Sequence, residues 1–548
     1  TKSKVQSISY HVKWLVLWSL WAARLVRQPT TLHHLSNGPV RGSIAPDGSH
    51  VSYLNIPYAS VPHRFQAPGP EPKWEHTFDA IEETVRCKQS VADVWTIGDT
   101  ECLSLNVYTP PNVTPDYKLP VMTFMHGGGF FKGSGNMIFY GPNYLVPKGV
   151  ILVSINYRLN IQGFLCLGIK EAPGNAAMKD QVAALRWIQR NIRKLGGDPD
   201  NVTIFGESAG AASVSFHLYS PMSKGLFHKA ITQSGSALAP WAYQYRPVFL
   251  ASLLAKVMLF ESQDPHELYK YFMTKSNEEL ILTRVPRKPG NVIISEILYT
   301  PCAEKHIEGV EPFLTEHPYE LLQKGEYNKV PLMIGTNIEE GLLILGMDNE
   351  TMILKVDFEK SLPKNLEILS KTEKTRIAGE LERLYMDGEK ISVDNFGKVS
   401  KWYGEASLNF PSLAETEELL KTSDQPMYNY LFKYDGWRNV PKMMQASNLK
   451  AVPGTTHADD LFYMFSQHIV FSNFEMDMIN RVTTMWTNFA KYGDPTPEGS
   501  SLPVRWLPTN STTPTSLVID SDFHTEPLWF NHRLKYWREL YSKYRRKR

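Results

Sequence analysis

Cysteine is scarce in this chain, four in 548 residues, too few for a scaffold built on disulfides. No run of 18 apolar residues occurs, so the sequence offers no membrane-spanning helix. Neither sign of charge predominates, with 58 Lys+Arg against 56 Asp+Glu. That balance removes the bulk electrostatic reason for binding nucleic acid or an acidic partner. Repeats, low-complexity tracts and metal or nucleotide motifs are all missing, so no metal and no cofactor are expected. What is left is ordinary globular composition, 42% hydrophobic and 21% charged, able to bury a large core.

The two ends depart from this average. Residues 14–23, WLVLWSLWAA, are apolar and uncharged, and Lys2, Lys4 and Lys13 precede them. The pattern is that of a signal-peptide core behind a basic segment, and it implies a secreted protein. The competing reading is an N-terminal amphipathic helix packed on the body. Residues 543–548 form a basic run, expected to be a solvated, frayed tail. The chain therefore divides into a leader-like segment 1–28, one domain 29–540 and a basic tail 541–548. Length alone would allow several domains, but α/β enzymes often run longer as one domain with insertions.

Cys87 and Cys102 stand 15 positions apart around a polar loop. An oxidising compartment would let them close it, which is worth about 3 kcal/mol in the chain-entropy picture. Cys166 and Cys302 read as unpaired and buried. The sequons at Asn112, Asn201, Asn349 and Asn510 are glycan acceptors if the chain is secreted. Asn201 precedes a core strand and is expected to be inaccessible, which leaves the other three.

From about residue 119 to 236, short apolar strands alternate with helices, as in a parallel sheet. Strands are expected at 121–125, 150–157, 202–205 and 330–336. Helices are expected at 175–195, 209–218 and 480–492. Gly196-Gly197 should stop the first of these helices. The more irregular stretches 243–328 and 349–423 read as helical insertions that roof a site.

Gly206-Glu207-Ser208-Ala209-Gly210 fits the G-x-S-x-G pattern. In that pattern a serine sits on a sharp strand-to-helix turn, with its Oγ above the sheet of an α/β-hydrolase fold. The pattern alone is weak, because chance gives on the order of 0.2 matches in a chain this long. The apolar strand before it and the small-residue helix after it supply the discrimination. Upstream, His126-Gly127-Gly128-Gly129 ends another strand. Glycines there let backbone N–H groups approach an oxyanion, and Ala209, after the serine, adds a further N–H. In this fold the acid and the histidine follow the serine in that order. Glu340, before Gly341 and just after the 330–336 strand, is the natural acid, with Glu339 its neighbour and competitor. His457, in Pro-Gly-Thr-Thr-His-Ala-Asp-Asp, is the candidate general base among 16 histidines.

Taken jointly, these residues resemble the type-B carboxylesterase/cholinesterase family over about residues 35–535. The landmarks are Asn55-Ile-Pro-Tyr-Ala, Glu101-Cys-Leu-Ser-Leu-Asn-Val-Tyr, His126-Gly-Gly-Gly-Phe, Gly197-Asp-Pro-Asp-Asn-Val-Thr-Ile-Phe-Gly-Glu-Ser-Ala-Gly, Gln233-Ser-Gly-Ser and Gly454-Thr-Thr-His-Ala-Asp-Asp. The resemblance implies an α/β-hydrolase with a mostly parallel twisted sheet flanked by helices and a gorge over the site. It implies a Ser208–His457–Glu340 triad, oxyanion donors at Gly128, Gly129 and Ala209, and a Cys87–Cys102 bridge. It also implies ion pairs of Arg64 with Glu101 and of Arg158 with Asp180. Trp241 falls where the family has an acyl-pocket aromatic, and Phe130 and Glu207 are placed in the substrate pocket with it.

Departures narrow the substrate. The loop between Cys87 and Cys102 is shorter than in cholinesterases, and its Trp95 is not a secure match to their choline-binding tryptophan, so acetylcholine is discounted. The family's second disulfide has no partners around residues 260–272. Glu207 stands where juvenile hormone esterases typically carry glutamine, which counts against that assignment. The look is closest to insect carboxylesterases, the antennal, odorant-degrading ones among them. The expectation is a secreted serine ester hydrolase acting through an acyl-enzyme on small to medium hydrophobic esters, acetate odorants or ester xenobiotics, with small-molecule esters as its partners. The alternative is a non-catalytic adhesion or binding protein on the same fold.

Overall fold

The computed structural model describes residues 13–15, 18, 28–467, 475–528 and 531–546. Most of the apolar segment 14–23 lies outside them. Among the described residues no helix is long and apolar enough to cross a membrane.

The core is an 11-stranded mixed sheet. Its strands in chain order are β1 (Ser43–Ile44), β2 (Val51–Pro57), β3 (Ser104–Thr109), β4 (Leu119–Met125), β5 (Ile151–Ile155), β6 (Gly197–Glu207), β7 (Lys229–Gln233), β8 (Leu332–Asn337), β9 (Met427–Phe432), β10 (Thr515–Ile519) and β11 (His524–Pro527). They lie in the spatial order β11-β10-β9-β8-β7-β6-β4-β5-β3-β2-β1. Every neighbour pair from β5 across to β10 is parallel, and the outer pairs are antiparallel.

Sequence alternation builds the two faces. Val121, Ile151, Val202, Ile204, Ala230, Leu332 and Ile334 join the cluster on one face, with Trp187 and Ile188 of the helix Ala176–Asn191. Met122, Phe124, Leu152, Phe205, Ile231 and Met333 join the other, with Val482, Met485, Trp486 and Phe489 of the helix Met476–Tyr492. Side chains of successive strand residues point to opposite faces, so a parallel sheet covered on both faces reads as a continuous apolar run. The helix Ala176–Asn191 runs on into a 3-10 turn, Ile192–Leu195, and closes on Gly196 at φ 85°. That is the left-handed cap a glycine supplies without strain. β6 begins earlier than its apolar core, because Gly197 pairs with Leu119 across a register shift. The polar residues in between hid this extension.

Three expectations fail. Cys166 and Cys302 are bonded to each other, as are Cys87 and Cys102, and no described cysteine is free. Spacing cannot reveal connectivity. What brings the second pair together is Asn175, which donates Nδ2 to Cys302 O and accepts from Cys302 N through Oδ1. Gly174 leaves room for the bond, since a Cβ there would come 2.7 Å from Cys302 Sγ. Arg64 does not pair with Glu101. Its guanidinium donates to the carbonyls of Phe272 and Lys275, and Glu101 accepts from Val61 N. The basic end is docked rather than frayed. The helix His532–Tyr544 buries Trp537 and Tyr541, the Arg545 guanidinium lies 4.3 Å over the Tyr319 ring, and Arg546 N donates to Asn365 O at 2.8 Å. Ring faces that accept cations are invisible in a count of basic residues. Arg158 and Asp180 do form the buried fork, at 2.6 and 2.8 Å, which ties the end of β5 to the helix Ala176–Asn191.

The Cys166–Cys302 bond spans 136 residues, for which the loop-entropy picture gives about 5 kcal/mol. The double variant Cys166→Ala/Cys302→Ala is expected to lose about 2–5 kcal/mol of unfolding free energy, read as a lower urea midpoint. Thiol titration of the denatured, unreduced wild type should find none; two free thiols per chain would contradict one of the bonds and four would contradict both.

Candidate active site

Register brings the strand ends level. Gly206 pairs with Met125, Glu207 with Gln233, and Gln233 with Gly335. His126, Ser208, Ser234 and the Glu340 loop therefore leave the carboxyl edge of the sheet side by side, where open α/β sheets place their ligands.

Ser208 has φ 58° and ψ −122°, between β6 and the helix Ala209–Tyr219. A non-glycine residue there is strained, and only close packing holds it. The neighbouring glycines provide that packing. A Cβ on Gly206 would lie 2.5 Å from Gly210 C, and one on Gly210 would overlap Met125 O. Ser208 N is tied to Gln233 O at 2.9 Å. A third glycine, Gly235, faces Ser208 O with no room for a side chain. Its place in Gln233-Ser-Gly-Ser was the only sequence signal for it.

The glycine run lies against this turn. A Cβ on Gly127 would stand 2.6 Å from Glu207 Oε2 and 3.0 Å from Ser208 Cβ. Gly128 and Gly129 adopt φ 111° and 63°. Their N–H groups, and that of Ala209, donate to no described residue. Ser208, Gly128 and Gly129 are partly open, whereas Gly127, Glu207 and Ala209 are buried. The run is pinned from behind. Gln89 donates to Gly133 O at 2.8 Å and accepts from Gly133 N at 2.9 Å. Its Nε2 also donates to Cys87 O, so the Cys87–Cys102 bond braces the loop. Tyr157 donates to His126 O at 2.6 Å and stacks on the His126 ring.

His457 Nδ1 lies 2.7 Å from Glu340 Oε2. The other oxygen of Glu340 accepts from Ser234 Oγ at 2.5 Å and Asn337 N at 2.7 Å. Glu339, the competitor, turns away to Lys401 at 2.8 Å. Asn337 also donates Nδ2 to Thr456 O at 2.6 Å, which clips the histidine loop to the acid loop. Ser234 and Asn337 were not anticipated as site residues. His457 Nε2 stands 3.1 Å from Glu207 Oε1. Ser208 Oγ makes no hydrogen bond to a described residue.

Burial pushes the Glu207 carboxyl up to about 8. Burial alone would lower His457, but the Glu207 and Glu340 carboxylates outweigh it and hold the imidazole at about 9. Opposite charge this close favours the imidazolium.

Of the expected pocket residues, Glu207 meets His457, while Phe130 is a core side chain edge-on to Phe164. Trp241 is buried with its ring 6.1 Å from that of Phe130. Its Nε1 donates to Ser407 O at 2.9 Å, within the π-helical turn Glu405–Asn409. Such a turn loosens the regular carbonyl ladder. Trp241 lines a cavity of about 350 Å³. Trp95 is exposed on a short hairpin. Asn112, Asn349 and Asn510 are exposed, and Asn201 is half-buried with its Oδ1 accepting from Lys229.

A mostly parallel sheet with a strained serine at its carboxyl edge defines an α/β-hydrolase. A family model described as the carboxylesterase family matches residues 29–537, and the chain belongs to that family. It is a serine carboxylic ester hydrolase. Juvenile hormone esterase of Tribolium castaneum is 32% identical over 88% of this chain and 86% of its own length. Esterase FE4 of Myzus persicae is 32% identical over 84% and 83%. The crystal structure of juvenile hormone esterase from Manduca sexta superposes with TM-score 0.78 at 24% identity, over 94% of this chain and 99% of that one, and so shares the fold.

Gly127→Ala would force the loop off the turn. A shift of this size at reacting groups costs on the order of 100-fold in rate. The variant is expected to lose about that much kcat/KM on 4-nitrophenyl acetate, and unchanged turnover would disprove the tight fit.

Proposed function

We propose that Ser208, His457 and Glu340 form the catalytic triad, and that the N–H groups of Gly128, Gly129 and Ala209 bind the oxyanion. The observation that carries this reading is the buried 2.7 Å contact of His457 Nδ1 with Glu340 beside a partly open, strained Ser208. A carboxylate on Nδ1 selects the tautomer whose Nε2 is free to take a proton. Ser208 Oγ attacks the ester carbonyl as Nε2 accepts the hydroxyl proton. Negative charge builds on the carbonyl oxygen and is met by unpaired N–H groups that need no reorganisation. His457 then gives the proton to the leaving alcohol, and an acyl group remains on Ser208. Water, activated by the same imidazole, releases the acid.

Glu207 tunes this cycle. Its carboxylate competes with Ser208 for Nε2 and stabilises the imidazolium between proton transfers. The proposed substrates are small to medium hydrophobic esters, acetate odorants or ester xenobiotics. The apolar lining beside Trp241 and the absence of a cholinesterase-like Trp95 position support that class. The proposed setting is extracellular, in keeping with two disulfides and three exposed sequons.

Ser208→Ala is expected to lower kcat on 4-nitrophenyl acetate by at least about 10⁴-fold, and a fluorophosphonate probe should label Ser208 in the wild type alone. A folded wild type with neither turnover nor label would overturn the triad. Glu207→Gln removes a negative charge beside the imidazolium. The His457 pKa then falls, neutral base persists to lower pH, and the acid limb of the kcat/KM profile should move down by about 1–3 pH units. A limb that stays or moves up would show that Glu207 does not act on His457.

A further inference from the structure

Beyond Trp241 lies the cavity of about 350 Å³, walled by Phe249, Leu250, Leu253 and Trp402. A second, smaller cavity touches Gly129 and Phe131 and shares Val285, Glu296 and Leu298 with the first. The two thus share walls, one on the side of the glycine run and the other among the insertions. An apolar chamber of this size suits an alkyl chain, but its charge pattern asks for more than a chain.

Lys364 also lines the large cavity. Protein surrounds it closely enough that burial pushes its ammonium down to about 8. Its side chain nevertheless keeps open surface. It forms no hydrogen bond or ion pair with any described residue. Lys364 is exposed at the lining, as Lys288 is, and its ammonium stands unpaired on a mostly apolar wall, where an anionic group would be its partner. The other charges here, Lys288 apart, are engaged. Arg287 is held by Asp348 at 2.7 Å and by Glu296 at 3.3 Å. Arg246 lies 4.1 Å over the Phe249 ring, and the Arg546 guanidinium 4.8 Å over the Tyr245 ring. Lys288 is exposed at the lining. Glu296 is the only carboxylate lining the cavity, and Arg287 and Arg284 engage it. The indole N–H of Trp402 is a further buried donor with no acceptor among the described residues. Cation and spare donor, set in an apolar chamber, complement an anionic head on an apolar tail.

We propose that this chamber binds a medium-length alkyl chain ending in a carboxylate, with Lys364 as the anion's partner. The carboxylate has two possible sources, a free fatty acid or the distal end of an ester whose acyl chain is a dicarboxylic acid. In the second case the site would extend the acyl pocket, and that arm rests on the triad reading; the first arm does not.

The test uses the full-length protein at pH 7 and the variants Lys364→Met and Lys364→Arg. Calorimetry with decanoate and with 1-decanol reads the chamber directly. Decanoate affinity should fall at least about tenfold in Lys364→Met and largely return in Lys364→Arg, while 1-decanol should not distinguish the three proteins. In parallel, KM is compared for mono-4-nitrophenyl sebacate and 4-nitrophenyl decanoate. A rise in Lys364→Met confined to the sebacate assigns the anion to the substrate. A Lys364 effect on decanoate binding alone assigns it to a free carboxylate. Equal decanoate binding in wild type and Lys364→Met, with no KM change, overturns the proposal. Turnover of 4-nitrophenyl acetate should stay level throughout, and its loss in every protein would count against the triad while leaving the binding result readable.

Discussion

The close approach of Gly210 to the Met125 carbonyl is the constraint on which the site depends. β4 and β6 are neighbours in a parallel sheet, so the turn after β6 must pass directly over the end of β4. Only a backbone stripped of side chains at 206 and 210 can make that passage. The result is a serine at φ 58°, held there by packing rather than by local preference. The same crowding fixes what lies opposite. Gly127 must be a glycine because Glu207 fills the space a methyl would need, and the run that follows is then free to turn its N–H groups outward. One packing contact thus sets both the proposed nucleophile and its proposed oxyanion donors.

Around this turn the protein buries charge that it only partly compensates. Glu207, Glu340 and Asp460 all approach one histidine. Glu340 is fully provided for by Ser234, Asn337 and His457, and Asp460 accepts from Gln233 at 2.7 Å. Glu207 has the imidazole and little else, since its Oε1 has no well-formed hydrogen bond. Its burial pushes its carboxyl up to about 8, and the carboxylates around the ring hold His457 at about 9. Groups poised this way share protons readily, and their titration belongs to the pair rather than to either residue.

Chain order and glycine spacing made the serine turn, the glycine run and the acid–histidine sequence legible before any coordinates, because each depends on local backbone geometry. Sheet strands were equally legible where both faces are apolar, as in β4 and β5. What escaped depends on contacts made across the chain. The Cys166–Cys302 bond needs Asn175 and Gly174 to position it, and neither signals a disulfide. The docking of Arg545 and Arg546 needs Tyr319 and Tyr245, residues far away in sequence, as well as the nearby Tyr541. Arg64 and Glu101 failed for the same reason: the carbonyls of Phe272 and Lys275 come from an insertion whose path could not be read.

That asymmetry also separates chemistry from selectivity. The reacting groups stand on the sheet edge, where a strict hydrogen-bond register leaves little latitude. The walls beyond Trp241 come from the insertions, and hydrogen bonds link the two: the Trp241 indole donates to the Ser407 carbonyl, and Asn409 donates to Thr336 Oγ1 and Asn337 O at the end of β8. The Ser407 carbonyl lies in a π turn, where one residue more than a regular helix needs has been accommodated between the helices Phe396–Gly404 and Phe410–Thr422. Removing the extra residue would restore the regular ladder and undo the local bulge that holds the Ser407 carbonyl against the indole. The wall at Trp241 is therefore set by a local backbone irregularity that Asn409 ties to the end of β8, while the rest of the lining comes from the insertions, so selectivity can change through them while the edge that carries the proposed triad stays as it is.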